Sequence, residues 1–250
     1  MLRLDRLLTS TGAVSRKEAA LAVRRGEVTV DSVTVRDPAA KVDETSARIT
    51  FRGQALLFRR YLYIMLNKPQ GYVSATDDRS LPYVLELLSP EHQRRGLFPV
   101  GRLDRDTTGL LIMTDDGEAA HRLLSPKRGV EKVYRFTCAE ILCDADIERL
   151  RAGITIDGGE ICRPAYLCPD PDRLSGTVTL TEGKYHEVKR MFRALGNEIL
   201  TLERISFAGL MLDCTLSRGA WRELDEKEIE HLLFVAHGKS ESKGNTNGCD

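Results

Sequence analysis

The chain is 250 residues long, 42% hydrophobic and 30% charged, with 37 Lys+Arg balanced by 37 Asp+Glu. That is room for one large domain or a small one plus a medium one around a real core, and it excludes the low-hydrophobicity, high-net-charge composition of a chain that stays unfolded. No window reaches the ~18 uninterrupted apolar residues of a membrane span, and the opening MLRLDRLLTS has early charges and no secretory apolar run, so a soluble cytoplasmic protein with no membrane partner is expected.

Leu4, Leu7 and Leu8 have the i, i+3, i+4 spacing of a short amphipathic helix, stopped by Gly12. Ser15-Arg16-Lys17-Glu18 spells a capping box that opens a second helix. On its helical projection Arg16, Lys17, Arg24 and Arg25 share one half, and Ala19, Ala22 and Val23 the other, so one side packs while the other is a cationic ridge. EVTVDSVTV follows as a hairpin turning at Asp31-Ser32, and ARITF is a further strand. Net charge is uneven: residues 1–60 hold 12 Lys+Arg against 7 Asp+Glu, residues 61–222 hold 22 against 23, and residues 223–250 hold 3 against 7. The N-terminal excess, with Arg3 and the ridge, suits a polyanion.

A boundary is expected near 55–62, where short apolar runs and Gly/Pro breaks begin. LPYVLELL, EAAHRLLS, HEVKRMFRAL and DEKEIEHLLFVA read as helices; GLLIMT, KVYRFTC, GTVTLTE and EILTLERI read as strands. Their irregular interspersion indicates α+β rather than a doubly wound sheet. The reading is residues 1–59 as a small domain, 60–236 as a larger one, and 237–250 as a disordered tail, because the closing HGKSESKGNTNGCD has nothing to bury. Six cysteines, at 138, 143, 162, 168, 214 and 249, form no C-x2-C pair and have no histidine at zinc spacing, so reduced thiols and no metal are expected.

The stretch DRDTTGLLIMTD (104–115) nearly fits a calcium loop, with Asp104, Asp106, Gly109 and Asp115 at positions 1, 3, 6 and 12. Its flanks argue otherwise: Pro99 and Gly101 stand where a helix must enter, and LLIM continues as a strand. The alternative is a working carboxylate. Arg102, Asp104 and Asp106 alternate with Leu103 and Arg105 along an extended segment, which puts a cation beside Asp104 and favours its ionised form. Asp115 with Asp116-Gly117 reads as a turn.

VGRLDRDTTGLLIMTDDG resembles the central motif of the RsuA-type pseudouridine synthases. YIMLNKPQGYVSATDD (63–78) is similar to that family's Lys-Pro motif, HRLLSPKRGVEKVYRF (121–136) to its tyrosine-bearing strand, and EGKYHEVKRMFRALGN (182–197) to its C-terminal helix motif. RLDRLLTSTGAVSRKEAALAVRRGEVTVDSVTV resembles an S4 RNA-binding domain, with Ser32 where the hairpin usually has Gly and Glu27 as an anion beside the ridge.

The resemblance implies an S4 domain followed by a mixed, largely antiparallel catalytic domain. It implies a cofactor-free enzyme that isomerises uridine to pseudouridine after flipping the base from its stack. By the same carry-over Asp104 is the catalytic aspartate, Tyr134 stacks on the uracil and is a candidate acceptor of the C5 proton, and Lys189 pairs with the aspartate, with Arg190 the alternative partner. Val188 forms the other apolar face of the slot, Arg102 meets the flipped nucleotide's backbone or fills the vacated space, and Lys68-Pro69 scaffolds the site. Asp106 braces the loop; His121 and His186 are RNA-contacting or structural. The motifs look most like the enzymes acting on 16S rRNA of the small subunit, free or in an assembling particle, with a monomer as the default. The rivals are a 23S rRNA enzyme of the same family and a non-catalytic S4-type ribosome-assembly protein.

Overall fold

The computed structural model of the protein describes residues 1–238 apart from 13, 45 and 57. Its N-terminal part runs β1 (Leu2–Arg3), α1 (Leu4–Ser10), α2 (Arg16–Arg25), β2 (Val28–Val30), β3 (Val33–Thr34), β4 (Lys41–Val42), β5 (Ile49–Phe51) and β6 (Gln54–Leu56). Leu4, Leu7 and Leu8 are fully buried and pack with Ala19, Val23, Val28 and Ile49. Ser15 caps α2 through Glu18, and the Glu18 side chain accepts from the Ser15 N–H, as the capping box requires. Arg16, Lys17, Arg24 and Arg25 all lie exposed. The β2–β3 hairpin turns at Asp31-Ser32 with φ of 49° and 68°, the two left-handed residues of a tight primed turn.

The larger part continues with β7 (Tyr63–Lys68), α3 (Pro90–Arg95), β8 (Phe98–Pro99), β9 (Thr108–Thr114), α4 (Gly117–Leu124), β10 (Lys132–Cys138), α5 (Asp144–Ala152), β11 (Tyr166–Pro169), β12 (Ser175–Leu180), α6 (Glu187–Ala194), β13 (Ile199–Phe207), β14 (Leu210–Met211), β15 (Trp221–Glu223) and α7 (Glu226–His237). One sheet has the path β11-β12-β10-β13-β9-β7-β15, with β14 on β13 and β8 on β9. Every pairing in it is antiparallel except β13 with β9. The fold is α+β, with a mixed, mostly antiparallel sheet.

The sheet separates two cores because successive strand residues face opposite ways. Ile64, Leu66, Leu111 and Met113 join Val188, Met191 and Phe192 of α6 on one face. Tyr63, Met65, Leu110 and Ile112 join Ala119 and Leu123 of α4 and Leu232 and Ala236 of α7 on the other. Buried on both faces, β7 and β9 read as continuous apolar runs.

Three differences from the sequence reading have local causes. LPYVLELL is not a helix but a single 3-10 turn, Val84–Leu87, between extended Tyr83 and Leu88. Tyr83 bridges to Val73, and Pro90 holds Ser89 extended. The helices α3 and α5 and the strand β11 lacked a periodic signal long enough to read. His237 closes α7 rather than opening a tail; residues 239–250 of the expected tail lie outside the described residues.

Candidate active site

Asp104 stands on the loop that leads into β9, and that loop is held from below. Lys68 is fully buried. Its ammonium donates to the carbonyls of Asp104 at 3.0 Å, Thr107 at 2.8 Å, Arg105 at 3.3 Å and Pro69 at 3.2 Å. Burial pulls its pKa down to about 8, against the opposing pull of Asp104 and Asp106. Ser74 grips the same loop at Leu103, accepting from its N–H at 3.0 Å and donating to its carbonyl at 2.9 Å. The Lys-Pro segment is thus a cradle for the loop, and Lys68 presents no atom to a ligand.

The expected alternation runs only as far as Asp104. Leu103 is buried, but the chain then turns, with the Thr107 N–H bonding back to the Asp104 carbonyl at 3.1 Å, and Arg105 and Asp106 are both exposed. The cation beside Asp104 is therefore not Arg102. It is Lys189 on α6, 2.9 Å from Asp104 Oδ2, and Lys189 also pairs with Asp106. Burial works against the charge of Lys189, but hydrogen bonds to Asp106 and Asp104 win and raise its pKa. His186 Nε2 lies 3.5 Å from Asp104 Oδ1. Arg190 turns away and is tied to Asp157, Glu160 and the Tyr185 carbonyl.

The calcium reading fails on the same geometry. Asp104 and Asp106 are taken by Lys189, Asp115 accepts from the Leu62 N–H and pairs with Arg95, and positions 7–10 are strand β9. Asp116 is no plain turn residue: it caps α4 and accepts from the Tyr63 hydroxyl. Gly109 is required by close approach, because at φ 100° a Cβ would lie 2.3 Å from the Arg204 carbonyl oxygen.

A cavity of about 640 Å³ opens over Asp104, bounded by Arg102, Tyr134, Val188, Lys189 and Arg204, a volume in the range of small-ligand sites. Tyr134 comes from β10 and Val188 from α6, both buried. Burial raises the Tyr134 phenol above its ordinary value, with Arg204 partly opposing. Arg102 is exposed at the mouth. His121 is an exposed α4 residue that does not line the cavity.

Arg204 was not legible as a site residue. It is fully buried, donates from Nε to the Leu110 carbonyl at 2.7 Å and lies over the Phe207 ring at 5.0 Å, with Nη2 lacking a hydrogen-bond partner. The available signal was its position between Leu202 and Ser206 on the inward side of a strand. Lys132, pulled down to about 8 by burial, lines the same cavity. Donor atoms of Cys162, Glu182 and Glu187 lie within 4.8 Å of one another. Burial disfavours the charged form of two of them, pushing the Cys162 thiol up to about 11 and the Glu187 carboxyl up to about 7, while Glu182 is engaged by Lys184 and the Arg163 N–H.

Comparison with known proteins agrees with this architecture. The RNA pseudouridylate synthase family pattern matches residues 62–194, and the S4 domain pattern matches residues 2–47. An uncharacterised RNA pseudouridine synthase of Bacillus subtilis is 43% identical over 93% of this chain and 98% of its own. Ribosomal small subunit pseudouridine synthase A of Escherichia coli is 40% identical over 93% of this chain and 100% of its own. A crystal structure of a pseudouridylate synthase superposes with a TM-score of 0.65 at 35% identity, covering 93% of this chain and 100% of that one.

Proposed function

Because the chain belongs to the RNA pseudouridylate synthase family, as an RsuA-type member with an N-terminal S4 domain, we propose that it isomerises one uridine of 16S rRNA, with Asp104 as the catalytic carboxylate. The observation that carries the reading is the Asp104–Lys189 ion pair at the cavity, on a loop held by Lys68. The reaction breaks the N1–C1′ bond, turns the uracil and rejoins it through C5. A pre-formed cation partner, Lys189 at 2.9 Å, holds the half-buried Asp104 carboxylate in place for that step.

A target base inside a duplex has to leave its stack to meet a carboxylate in a cavity, so the reading includes base flipping. Tyr134 and Val188 would hold the two faces of the uracil. With its phenol pKa raised by burial, Tyr134 is neutral at physiological pH and serves first as a stacking surface. Arg102 would meet the phosphate backbone at the mouth. Residues 1–59 form the docking unit, with Arg3 and the α2 ridge facing RNA, and 60–236 the catalytic unit, acting as a monomer in the cytoplasm on free 16S rRNA or an assembling small subunit. The small-subunit assignment is supported by relatives named for that subunit, and the intact ion pair weighs against a purely RNA-binding role.

The test is incubation with unmodified 16S and 23S transcripts, followed by chemical labelling of pseudouridine and primer extension. A single new stop in 16S is expected. A stop confined to 23S moves the target to the large subunit, and none on either transcript or on assembling particles overturns the reading.

A further inference from the structure

At the rim of the cavity stands an aromatic pair that the uridine site does not use. Tyr185 is 75% exposed, the most exposed aromatic side chain among the described residues. An aromatic ring left in water forfeits the burial that normally fixes its place. Yet this ring is not loose. It stacks on the His186 imidazole with centroids 3.8 Å apart and planes 18° apart.

The backbone under the pair is fixed as well. His186 sits at φ 49° and ψ 37° as the residue that begins α6, a left-handed conformation that a non-glycine residue adopts only when its surroundings impose it. Arg190 supplies that constraint: its guanidinium, anchored by Asp157 and Glu160, donates to the Tyr185 carbonyl at 3.2 Å, and its N–H bonds to the His186 carbonyl at 2.9 Å. On its other side, His186 reaches to 3.5 Å from Asp104. The pair is therefore a rigid two-ring stack with one end at the carboxylate and the other in solvent.

We propose that Tyr185 is a stacking platform for an unpaired nucleobase adjacent to the target uridine, with His186 as its support and Arg190 as the clamp that orients both. This rests on the reading of the chain as an RNA-modifying enzyme and adds a second base-binding position to it. The ligand follows from the chemistry. A flat, exposed π-face next to a nucleotide-sized cavity, with the Arg102 cation lining the same cavity, suits a base whose phosphate lies beside it. A base there fills the place of the one that leaves the stack, so the flipped strand keeps a stacking partner. No hydrogen-bond edge is read, so the position tolerates any base.

The experiment uses the full chain and a 16S-derived stem-loop in which 2-aminopurine replaces, one at a time, the nucleotides on either side of the target uridine. Fluorescence on mixing reports stacking without turnover, and KM and kcat are measured on the unlabelled RNA. The wild-type protein is expected to quench one flanking position. Tyr185→Leu should abolish that quench and raise KM roughly 5- to 100-fold, the range of one lost stacked base, with kcat within about threefold because the Asp104–Lys189 pair is untouched. Tyr185→Phe should behave as the wild type. Unchanged quench and KM in Tyr185→Leu overturns the platform, as does an equal loss in Tyr185→Phe, which would mean the hydroxyl rather than the ring is used. Quenching without pseudouridine formation by the wild type would sink the enzymatic reading and leave the platform standing.

Discussion

At the scale of single residues the site turns on one ion pair, Asp104 with Lys189. Replacing Asp104 with Asn keeps its size and most hydrogen bonds but removes the charge. Activity should fall by at least ~10⁴-fold, as when a nucleophile is lost, while RNA affinity in a filter-binding assay stays near wild type; full activity would remove Asp104 from the mechanism. Glu187 is the opposite case. It is 5% exposed, and burial raises its carboxyl pKa to about 7. The folded state thus holds a proton that the unfolded chain releases near pH ~4.3. Stability from this group is present at low pH and is lost as pH rises from there through about 7. Glu187→Gln keeps the acceptor used by the Lys184 N–H without that loss. Melting curves from pH 4 to 8 should show the variant gaining on the wild type as pH rises, by roughly 3–8 °C at pH 8. A gap that does not change with pH would mean that Glu187 has no shifted titration in this range.

Elements respond to substitution according to what crosses them. Strand β9 passes so close to β13 that Gly109→Ala drives a methyl into the Arg204 backbone at a left-handed φ. The cost should be about 3 kcal/mol or more, read as a lower urea midpoint. A midpoint within error of wild type would show that the two strands can separate freely. Helix α2 faces outward with Arg16, Lys17, Arg24 and Arg25. Reversing those charges should weaken rRNA binding and flatten its dependence on salt, since each phosphate contact contributes to the slope. An unchanged slope would mean that RNA docks elsewhere. Elements with a full amphipathic period or strict alternation, such as α2, α6, α7, β10 and β12, were legible in the sequence. LPYVLELL was misread because leucine spacing says nothing of the prolines at either end, which fix an extended entry and exit. The family resemblance named Lys68-Pro69 as a scaffold, but how it works was not legible: composition alone makes Lys68 a surface lysine until the fold brings four carbonyls to it. Asp104, Tyr134 and Lys189 could be named from local motifs, whereas Arg204 needed the strand's facing, which only the sheet supplies.

For the whole molecule, zero net charge conceals a basic N-terminal part and an acidic C-terminal one. The two parts touch at Gly12, whose carbonyl accepts from Arg94 Nε at 3.0 Å, so α1 and α3 are held at a defined separation. Removing residues 1–59 should leave the melting transition of the remainder cooperative and lower rRNA affinity at least ~10-fold; undiminished affinity would place docking entirely on the larger part. The parallel pairing of β9 with β13 has a further consequence, in time rather than in space. It sets Arg204 beside Gly109, where the Arg204 side chain reaches the Leu110 carbonyl across 94 residues of chain, while α6 brings Lys189 to Asp106 across 83. Closing such loops is the slow step of a fold rich in distant contacts. During synthesis, a chain that has emerged only as far as β12 carries Asp104 and Tyr134 without Lys189 or the strand that shapes the cavity floor. On the proposed roles of Asp104, Tyr134 and Lys189, the site is complete only after α6 and β13 have been made, so an incomplete chain would present its S4 part before it could act on bound RNA.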